Sequence, residues 1–218
     1  MKALVLSDIH DKWEFIYRII KKQPHDIVFI SGDFTYFEDI DGVVAKIEKM
    51  EEITDAPIYF VPGNCDPQEV MALQKIGDRI HNVHMRLIQI NDLFVVGIGG
   101  SLLTPFNTRI EFDESEYNDM LERIGKEVVP RRTIILSHMP PYDTLDKIYS
   151  GKKIGSRFLR DIIIEKEPIA VLTGHIHESR GVTNLGNTTI INPGPVMLGF
   201  YAIIQFEENG VFTQLKNL

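Results

Sequence analysis

Short apolar runs alternate with segments of helical periodicity along the first third of the chain. A strand that is buried on both faces shows a nearly continuous apolar run, whereas an amphipathic helix repeats its apolar residues every three or four positions. The apolar runs predict strands at Lys2–Ser7, Asp26–Ser31 and Pro57–Val61. The helical spacing predicts one helix over Trp13–Ile20 and a second, capped by Asp41, with Val43, Ile47 and Met50 on one face.

The alternation resumes after a middle section of different character. The predicted elements there are the strands Arg86–Ile90 and Leu93–Ile98, a helix over Glu114–Val128, the strand Thr133–Ser137, a helix capped by Ser156, and the strand Ile169–Leu172. Alternating strands and helices are typical of an α/β sheet, whose ligands gather at the carboxyl ends of its strands. We expect the insert Leu102–Gly125 to lie at the rim of such a site and to influence substrate choice.

Two hairpins are predicted near the C-terminus. Gly186-Asn187 and Asn209-Gly210 are two-residue turn signals, and each is flanked by strand-like segments. These segments are Val182–Leu185, Thr188–Asn192, Tyr201–Phe206 and Val211–Leu215. We expect them to join Arg86–Ile98 in a second sheet. No linker, low-complexity segment or fixed repeat interrupts the sequence, which favours a single domain over residues 1–218.

The composition is that of an ordinary globular protein and narrows the possible partners. Of the 218 residues, 44% are hydrophobic and 25% are charged. The net charge of −8 argues against binding to long nucleic acid, which requires a basic surface. No apolar run is long enough for a membrane span, the first residues do not resemble a signal peptide, and the single cysteine, Cys65, excludes an intrachain disulfide. We therefore expect a cytoplasmic protein that does not enter a membrane.

Side chains that bind metals follow five of the predicted strands. They are Asp8, His10, Asp33, Asn64, His138, His175 and His177. Three oxygen donors and four imidazoles suit divalent Mn, Fe, Co, Ni or Zn. Because seven ligands are too many for one tetrahedral site, we expect two metal ions that share a bridging carboxylate, at the separation of about 3.5–4 Å found in two-metal hydrolases. We also expect His175 and His177, two residues apart at a strand end, to converge on one point.

The order and spacing of these motifs identify a family. Asp8-x-His10, Gly32-Asp33, Gly63-Asn64-x-Asp66, His138 and Gly174-His175-x-His177 resemble the calcineurin-like metallophosphoesterases. Gly99-Gly100-Ser101 through Phe106, and His138-Met139-Pro140-Pro141, look most like the branch called Icc-related predicted phosphoesterases. The resemblance implies a four-layer α/β/β/α sandwich.

The resemblance also implies roles for the site residues. Asp8, His10, Asp33 and His177 would hold a first metal, while Asp33, Asn64, His138 and His175 would hold a second, with Asp33 bridging. A metal-bridging hydroxide would attack phosphorus in line, and Asn64 and His138 would position the reacting groups. The substrate would be a small phosphate ester, either a monoester or a diester such as a nucleotide or cyclic nucleotide.

One position departs from the family pattern. Members usually carry histidine after the Gly-Asn pair, whereas this chain carries Cys65. A thiol is a weaker hydrogen-bond donor than an imidazolium, so the protonation of poor leaving groups is in question, and diesters are slightly favoured over monoesters. Three interpretations remain open for Cys65: it donates as a thiol, it contacts a metal, or it fills space.

A function of another class is a non-catalytic interaction scaffold, as in the retromer subunit that resembles this fold. Complete ligand positions argue against that alternative, since a scaffold has no need of them. The remaining histidines, His25, His81 and His84, lack partner motifs, and we expect them at the surface. Arg180 lacks positional support as a phosphate ligand, and Gly194 is expected to lie in a turn.

Overall fold

Fifteen strands and four α-helices form in the part of the chain that the computed structural model describes, residues 1–207 and 210–218. The α-helices are α1 Trp13–Lys22, α2 Ile40–Glu48, α3 Glu114–Glu127 and α4 Arg157–Lys166. The strands are β1 Lys2–Leu6, β2 Ile27–Ile30, β3 Ile58–Phe60, β4 Lys75–Ile76, β5 Ile80–Asn82, β6 Ile88–Ile90, β7 Leu93–Ile98, β8 Ser101–Leu102, β9 Glu111–Phe112, β10 Thr133–Ser137, β11 Ala170–Leu172, β12 Gly181–Leu185, β13 Thr188–Asn192, β14 Phe200–Glu207 and β15 Gly210–Asn217. Among these described residues, no helix has the length and apolar character needed to span a membrane.

Two large sheets contain most of the strands. The first has the order β15-β14-β1-β2-β3-β5-β4, and the second has the order β12-β13-β11-β10-β7-β6. Strands β1, β2, β3 and β5 are parallel neighbours in the first sheet, as are β7, β10, β11 and β13 in the second. The carboxyl ends of the central strands in each sheet therefore lie at a common edge.

Three apolar clusters show how the layers stack. Alternate residues of β1 face opposite ways: Leu4 packs with helices α1 and α2, whereas Val5 packs into the cluster that includes Leu136 of the second sheet. The third cluster joins the other face of the second sheet to α3 and α4, through residues such as Leu121 and Leu159. The order is helices, sheet, sheet, helices, so the predicted four-layer α/β/β/α sandwich is confirmed. Strands buried on both faces explain the continuous apolar runs.

The C-terminal strands only partly follow the prediction. The hairpin of β12 and β13 forms around Gly186-Asn187 and joins the second sheet as expected. The prediction for the last two strands was wrong: β14 pairs antiparallel with β1, at Lys2↔Gln205, and so belongs to the first sheet. Alternation of apolar residues predicts a strand but not its partner, which is a long-range choice. The predicted turn at Asn209-Gly210 includes Asn209, which lies outside the described residues.

Two local predictions also need correction. Helix α2 is capped by Asp39, whose Oδ1 accepts the N–H of Gly42 at 2.9 Å, and Asp41 lies in the first turn instead. His84 is buried rather than exposed, and its Nδ1 accepts the N–H of Gly99 at 2.9 Å. Burial, with a further effect from nearby Arg86, lowers the pKa of His84 to about 4, so this histidine is a neutral structural acceptor. His25 and His81 are half-buried.

Close packing between the sheets predicts the effect of a single methyl group. A Cβ at Gly97 in β7 would lie 2.4 Å from Val61 Cγ1 and 2.9 Å from the Leu136 carbonyl oxygen. We expect Gly97→Ala to lower the free energy of unfolding by about 1–3 kcal/mol through overpacking, measured by urea denaturation. Gly125→Ala in α3 is the matched control, because its Cβ would lie 3.5 Å from Ile162, and we expect it to stabilise the protein by about 0.5–1 kcal/mol. Equal stability of the two variants would contradict this account of the inter-sheet packing.

Candidate metal centre

All seven predicted metal-binding side chains lie at the common edge where the strands of both sheets end. The first sheet supplies four of them, on the loops after β1, β2 and β3, and the second supplies three, on the loops after β10 and β11. In chain order they are Asp8, His10, Asp33, Asn64, His138, His175 and His177. The site therefore exists only where the two sheets pack together.

Asp33 is at the centre of this group. Its Oδ2 lies 3.6 Å from His10 Nε2 on one side and 3.4 Å from His138 Nε2 on the other. On the first side, His10 Nε2 lies 3.1 Å from His177 Nε2, which in turn lies 3.4 Å from Asp8 Oδ1. One carboxylate thus contacts two groups of ligands, as a bridging carboxylate would.

The second group is completed by Asn64 and His175. His138 Nε2 lies 2.9 Å from Asn64 Oδ1, within hydrogen-bond distance. The His175 ring packs edge-on against His138 with 5.0 Å between ring centroids, and its backbone N–H donates to Asp8 Oδ1 at 3.1 Å. Ligand atoms of Asp8, His10 and His177 lie within 4.8 Å of one another, as do those of Asp8, Asp33 and His138, so both sets could hold a metal ion.

The loops that carry these residues have unusual backbone conformations. Asp8, His10, Asp33 and His175 all have left-handed φ angles, of 54°, 44°, 56° and 66°. Such angles are uncommon for residues other than glycine and cluster at functional sites. They also correct the strand-based explanation for the histidine pair. Strand β11 ends at Leu172, so the two histidines follow it in a turn rather than on the pleat of a strand, with His177 beside His10 and His175 beside His138.

Glycine permits the close approach of neighbouring loops. A Cβ at Gly63 would lie 2.0 Å from Asp33 Oδ1, and a Cβ at Gly174 would lie 1.7 Å from Ser7 Oγ. Neither contact is possible for a real side chain. These glycines therefore let the loops after β3 and β11 close against the carboxylates.

Asp66 joins the loops after β2 and β3, a role that the motif alone did not indicate. It is fully buried, and its carboxylate accepts N–H groups from Gly63 at 2.7 Å, Asp33 at 3.0 Å, Phe34 at 2.7 Å and Thr35 at 3.2 Å. Its position three residues after Gly63 was the available signal, since aspartate accepts nearby backbone N–H groups in loops. Asp66 thus holds the backbone at Asp33 in place.

The electrostatics fit the binding of cations. Burial lowers the pKa of His138, but the Asp33 carboxylate outweighs this effect and brings that pKa to about 9. Burial raises the pKa of Asp33, but the neighbouring His138 lowers it by more, so the net effect is a decrease. Burial, with the neighbouring His138, lowers the pKa of His175 to about 4. The buried carboxylates are thus balanced by protonated imidazole, whose place a divalent cation can take.

Cys65 lies half-buried beside the same carboxylate. Its backbone N–H donates to Asp33 Oδ1 at 2.8 Å, and its Sγ lies within 4.8 Å of ligand atoms from His10 and Asp33. Burial raises the pKa of the thiol well above its ordinary value, and the Asp33 charge raises it further. The thiol is therefore protonated at neutral pH.

The Asn64 side chain is oriented by residues that sequence patterns did not indicate. Its Nδ2 donates to Thr108 Oγ1 at 2.8 Å. Thr108 in turn donates its hydroxyl and backbone N–H groups to Glu111, which also accepts both groups of Thr104. This chain directs the Asn64 oxygen toward His138. No local pattern marks Thr108, because its bond to Asn64 spans 44 positions of sequence, or Glu111, because it acts on Asn64 only through Thr108.

A cleft of about 790 Å³ opens from Asn64, His175 and His177 toward solvent. Its walls come from residues 102–106, from residues 142–157, and from Glu114 and Asn118 at the start of α3. The insert predicted to form the rim does so with its loop and the first turns of α3, while Tyr117, Leu121 and Ile124 pack into the core. A second cavity, of about 440 Å³, lies by Ile169 at the opposite end of β11.

Arg180 and the loop of Gly194 have structural positions close to the site. Arg180 donates to the carbonyl oxygens of Pro193 at 3.0 Å and Lys216 at 2.9 Å. Gly194 has a φ of 80°, as a turn requires, and the following loop donates the Met197 N–H to the Asp8 carbonyl oxygen at 3.1 Å. These contacts hold the loop after β1 in place.

Comparison with known proteins gives this geometry a family. Residues 1–179 match the calcineurin-like phosphoesterases. This chain belongs to that family. The phosphoesterase assignment implies divalent metal ions, and the Asp and His groups described above could bind them.

Two relatives are similar to this phosphoesterase over most of its length. An uncharacterized protein of Methanocaldococcus jannaschii, MJ1162, is 35% identical, with 89% of this chain and 88% of that protein covered. A UPF0046 protein of Caenorhabditis elegans is 33% identical, with 88% of this chain and 69% of that protein covered.

Solved structures share the fold at low identity. The protein TT1561 of Thermus thermophilus superposes with a TM-score of 0.71 at 17% identity, covering 98% of this chain and 97% of that one. A dimetal phosphatase from Danio rerio has a TM-score of 0.64 at 10% identity, covering 100% and 96%.

Removal of the Asp66 carboxylate should weaken the fold at this edge. Asp66→Ala leaves four buried N–H groups without their acceptor, and each such group costs about 1–3 kcal/mol. We expect a loss of more than about 3 kcal/mol in the free energy of unfolding, measured by urea denaturation in the presence of chelator. Asp66→Asn, which keeps one acceptor oxygen, should lose less and remain measurable if the alanine variant does not fold. The exposed Asp55→Ala should stay within about 0.5 kcal/mol of the parent protein. Parental stability of Asp66→Ala would refute the role given to this carboxylate.

Proposed function

We propose that this protein hydrolyses phosphate esters with the aid of two divalent metal ions. One observation carries the proposal: the buried Asp33 Oδ2 lies between His10 Nε2 at 3.6 Å and His138 Nε2 at 3.4 Å, with a further ligand set on each side. A shared carboxylate between two imidazole groups suits a pair of metal ions. Membership in the calcineurin-like phosphoesterases supports the reaction class.

We assign the ligands in two sets. The first comprises Asp8, His10, Asp33 and His177, and the second comprises Asp33, Asn64, His138 and His175. Oxygen and imidazole donors in this mixture suit Mn, Fe, Co, Ni or Zn. When bound, two such ions supply Lewis acidity that neutralises phosphate charge and activates water.

In the hydrolysis, a water oxygen forms a bond to phosphorus while the ester P–O bond breaks, and the proton lost by water ends on the leaving alcohol. Asn64 Nδ2 donates to Thr108 Oγ1 at 2.8 Å and lies 3.6 Å from Cys65 Sγ, a weak acceptor whose place a phosphate oxygen can take. Cys65 retains its proton but is a weak donor. We therefore propose small phosphodiesters, including nucleotide esters, as better substrates than monoesters. The reason is that Cys65 occupies the position of the histidine that would assist a poor leaving group.

A paired assay tests the proposal. Protein stripped with chelator and reloaded with Mn²⁺ should hydrolyse bis(p-nitrophenyl) phosphate faster than p-nitrophenyl phosphate, and chelated protein should hydrolyse neither. Asp33→Asn and His138→Ala should bind fewer metal ions by elemental analysis. Their hydrolysis rates should fall by more than about 100-fold, because loss of a residue that only supports a metal ligand costs about 10–100-fold.

Asp41→Asn is the control: it makes the same substitution at an exposed position in the first turn of α2 and should retain parental metal content and rate. A faster monoester reaction would reverse the proposed preference. Parental activity in Asp33→Asn would overturn the two-metal assignment. Absence of turnover with any of the five metals would favour the non-catalytic scaffold.

A further inference from the structure

The walls of the cleft contain large apolar side chains that lie open to solvent. Leu103, Phe106 and Tyr149 are 70%, 80% and 92% exposed. A single exposed apolar residue needs no explanation, but three that line one cavity are typical of a binding site. The volume of about 790 Å³ lies in the range of small-molecule sites.

The charged groups of the cleft nearly cancel. Three basic side chains line it, Lys152, Lys153 and Arg157, together with two acidic side chains, Glu114 and Glu178. Lys153 is already paired with Asp143, and the Arg157 guanidinium lies 3.8 Å from the centre of the Tyr142 ring. The walls therefore provide apolar area with an excess of only one basic side chain.

Both walls are connected to the metal-binding loops. The wall that contains Phe106 is tied to Asn64 through Thr108. The wall that contains Tyr149 is tied to the loop after β11, since the Tyr149 N–H donates to Glu178 Oε1 at 2.8 Å, and Glu178 follows His177. A group held between the walls would thus lie beside a phosphate at the proposed metal centre.

We infer that the cleft binds the organic group of the ester, and that this group is an uncharged apolar ring. The inference rests on the proposed function, since the phosphate must occupy the adjoining metal centre. Aromatic side chains at both walls can stack on such a ring, and burial of its faces removes apolar area from water. A second anionic group gains little here, because Lys153 and Arg157 already face an acidic and an aromatic partner and the two acidic side chains of the lining oppose it.

Binding of phosphonates, which are not hydrolysed, tests this without relying on turnover. Isothermal titration calorimetry on Mn²⁺-loaded protein would compare phenylphosphonate, ethylphosphonate and 4-phosphonobenzoate. We expect phenylphosphonate to bind about tenfold more tightly than ethylphosphonate. We expect 4-phosphonobenzoate, which adds a carboxylate to the ring, to bind no more tightly than phenylphosphonate.

Variants of the walls locate the effect. Phe106→Ala and Tyr149→Ala should each remove most of the advantage of the phenyl group and leave the affinity for ethylphosphonate unchanged. Tyr149→Phe should retain the advantage, because the ring rather than the hydroxyl is used. Phe212→Ala, which truncates another exposed aromatic side chain on β15, is the matched control and should bind all three ligands as the parent does.

The outcomes separate the two proposals. Equal affinity for the phenyl and ethyl ligands, or tighter binding of 4-phosphonobenzoate, in protein that hydrolyses bis(p-nitrophenyl) phosphate would overturn the inference about the cleft alone. Absence of binding by all three phosphonates, together with absence of turnover, would overturn the proposed function and the inference with it.

Discussion

The site depends on one buried carboxylate. Asp33 is 3% exposed, and a carboxylate at that depth is stable only when neighbouring groups meet its charge. Its partners come from two sheets, His10 from the loop after β1 and His138 from the loop after β10. The site therefore assembles only when the two sheets pack together. A change that separates the sheets would take His138 away from this charge.

The left-handed residues show how the loops meet that requirement. Asp8, His10 and Asp33 have backbone angles that cost free energy for a residue with a side chain. The loops offset the cost by bonding to one another: the Ile9 and His10 N–H groups both donate to the Asp33 carbonyl oxygen, at 2.8 and 3.0 Å. Asp66 adds side-chain acceptors beneath them. The backbone of the site is thus set by the protein, and cations would enter a largely formed arrangement.

Sequence patterns predicted the layers and the group of candidate metal-binding side chains that the structure brings together, because both depend on local spacing. A run such as Thr133–Ser137 is apolar since both faces of its strand are buried, and His138 follows it at the edge where ligands gather. Other features depend on contacts between distant segments. The partner of β14 is decided by β1, the burial of His84 by the packing of β7, and the orientation of Asn64 by Thr108. Asp39 and Asp41 are equivalent as caps in the sequence, and only the entry of the chain into α2 distinguishes them.

The cleft and the metal centre place different demands on the chain. The proposed metal centre uses side chains at defined spacing, which is why short motifs indicate it. The cleft requires only apolar area on two loops that residues 102–106 and 142–157 bring together. The two loops differ in how they reach the ligands. Thr108 bonds directly to the Asn64 side chain, so a change of Thr108 itself would alter both this wall and the proposed ligand. Tyr149 bonds through its backbone to Glu178, a neighbour of a ligand, so its side chain is free to vary without moving His177. If the cleft binds the organic group as proposed, selectivity can change at the Tyr149 wall with the proposed metal centre left intact.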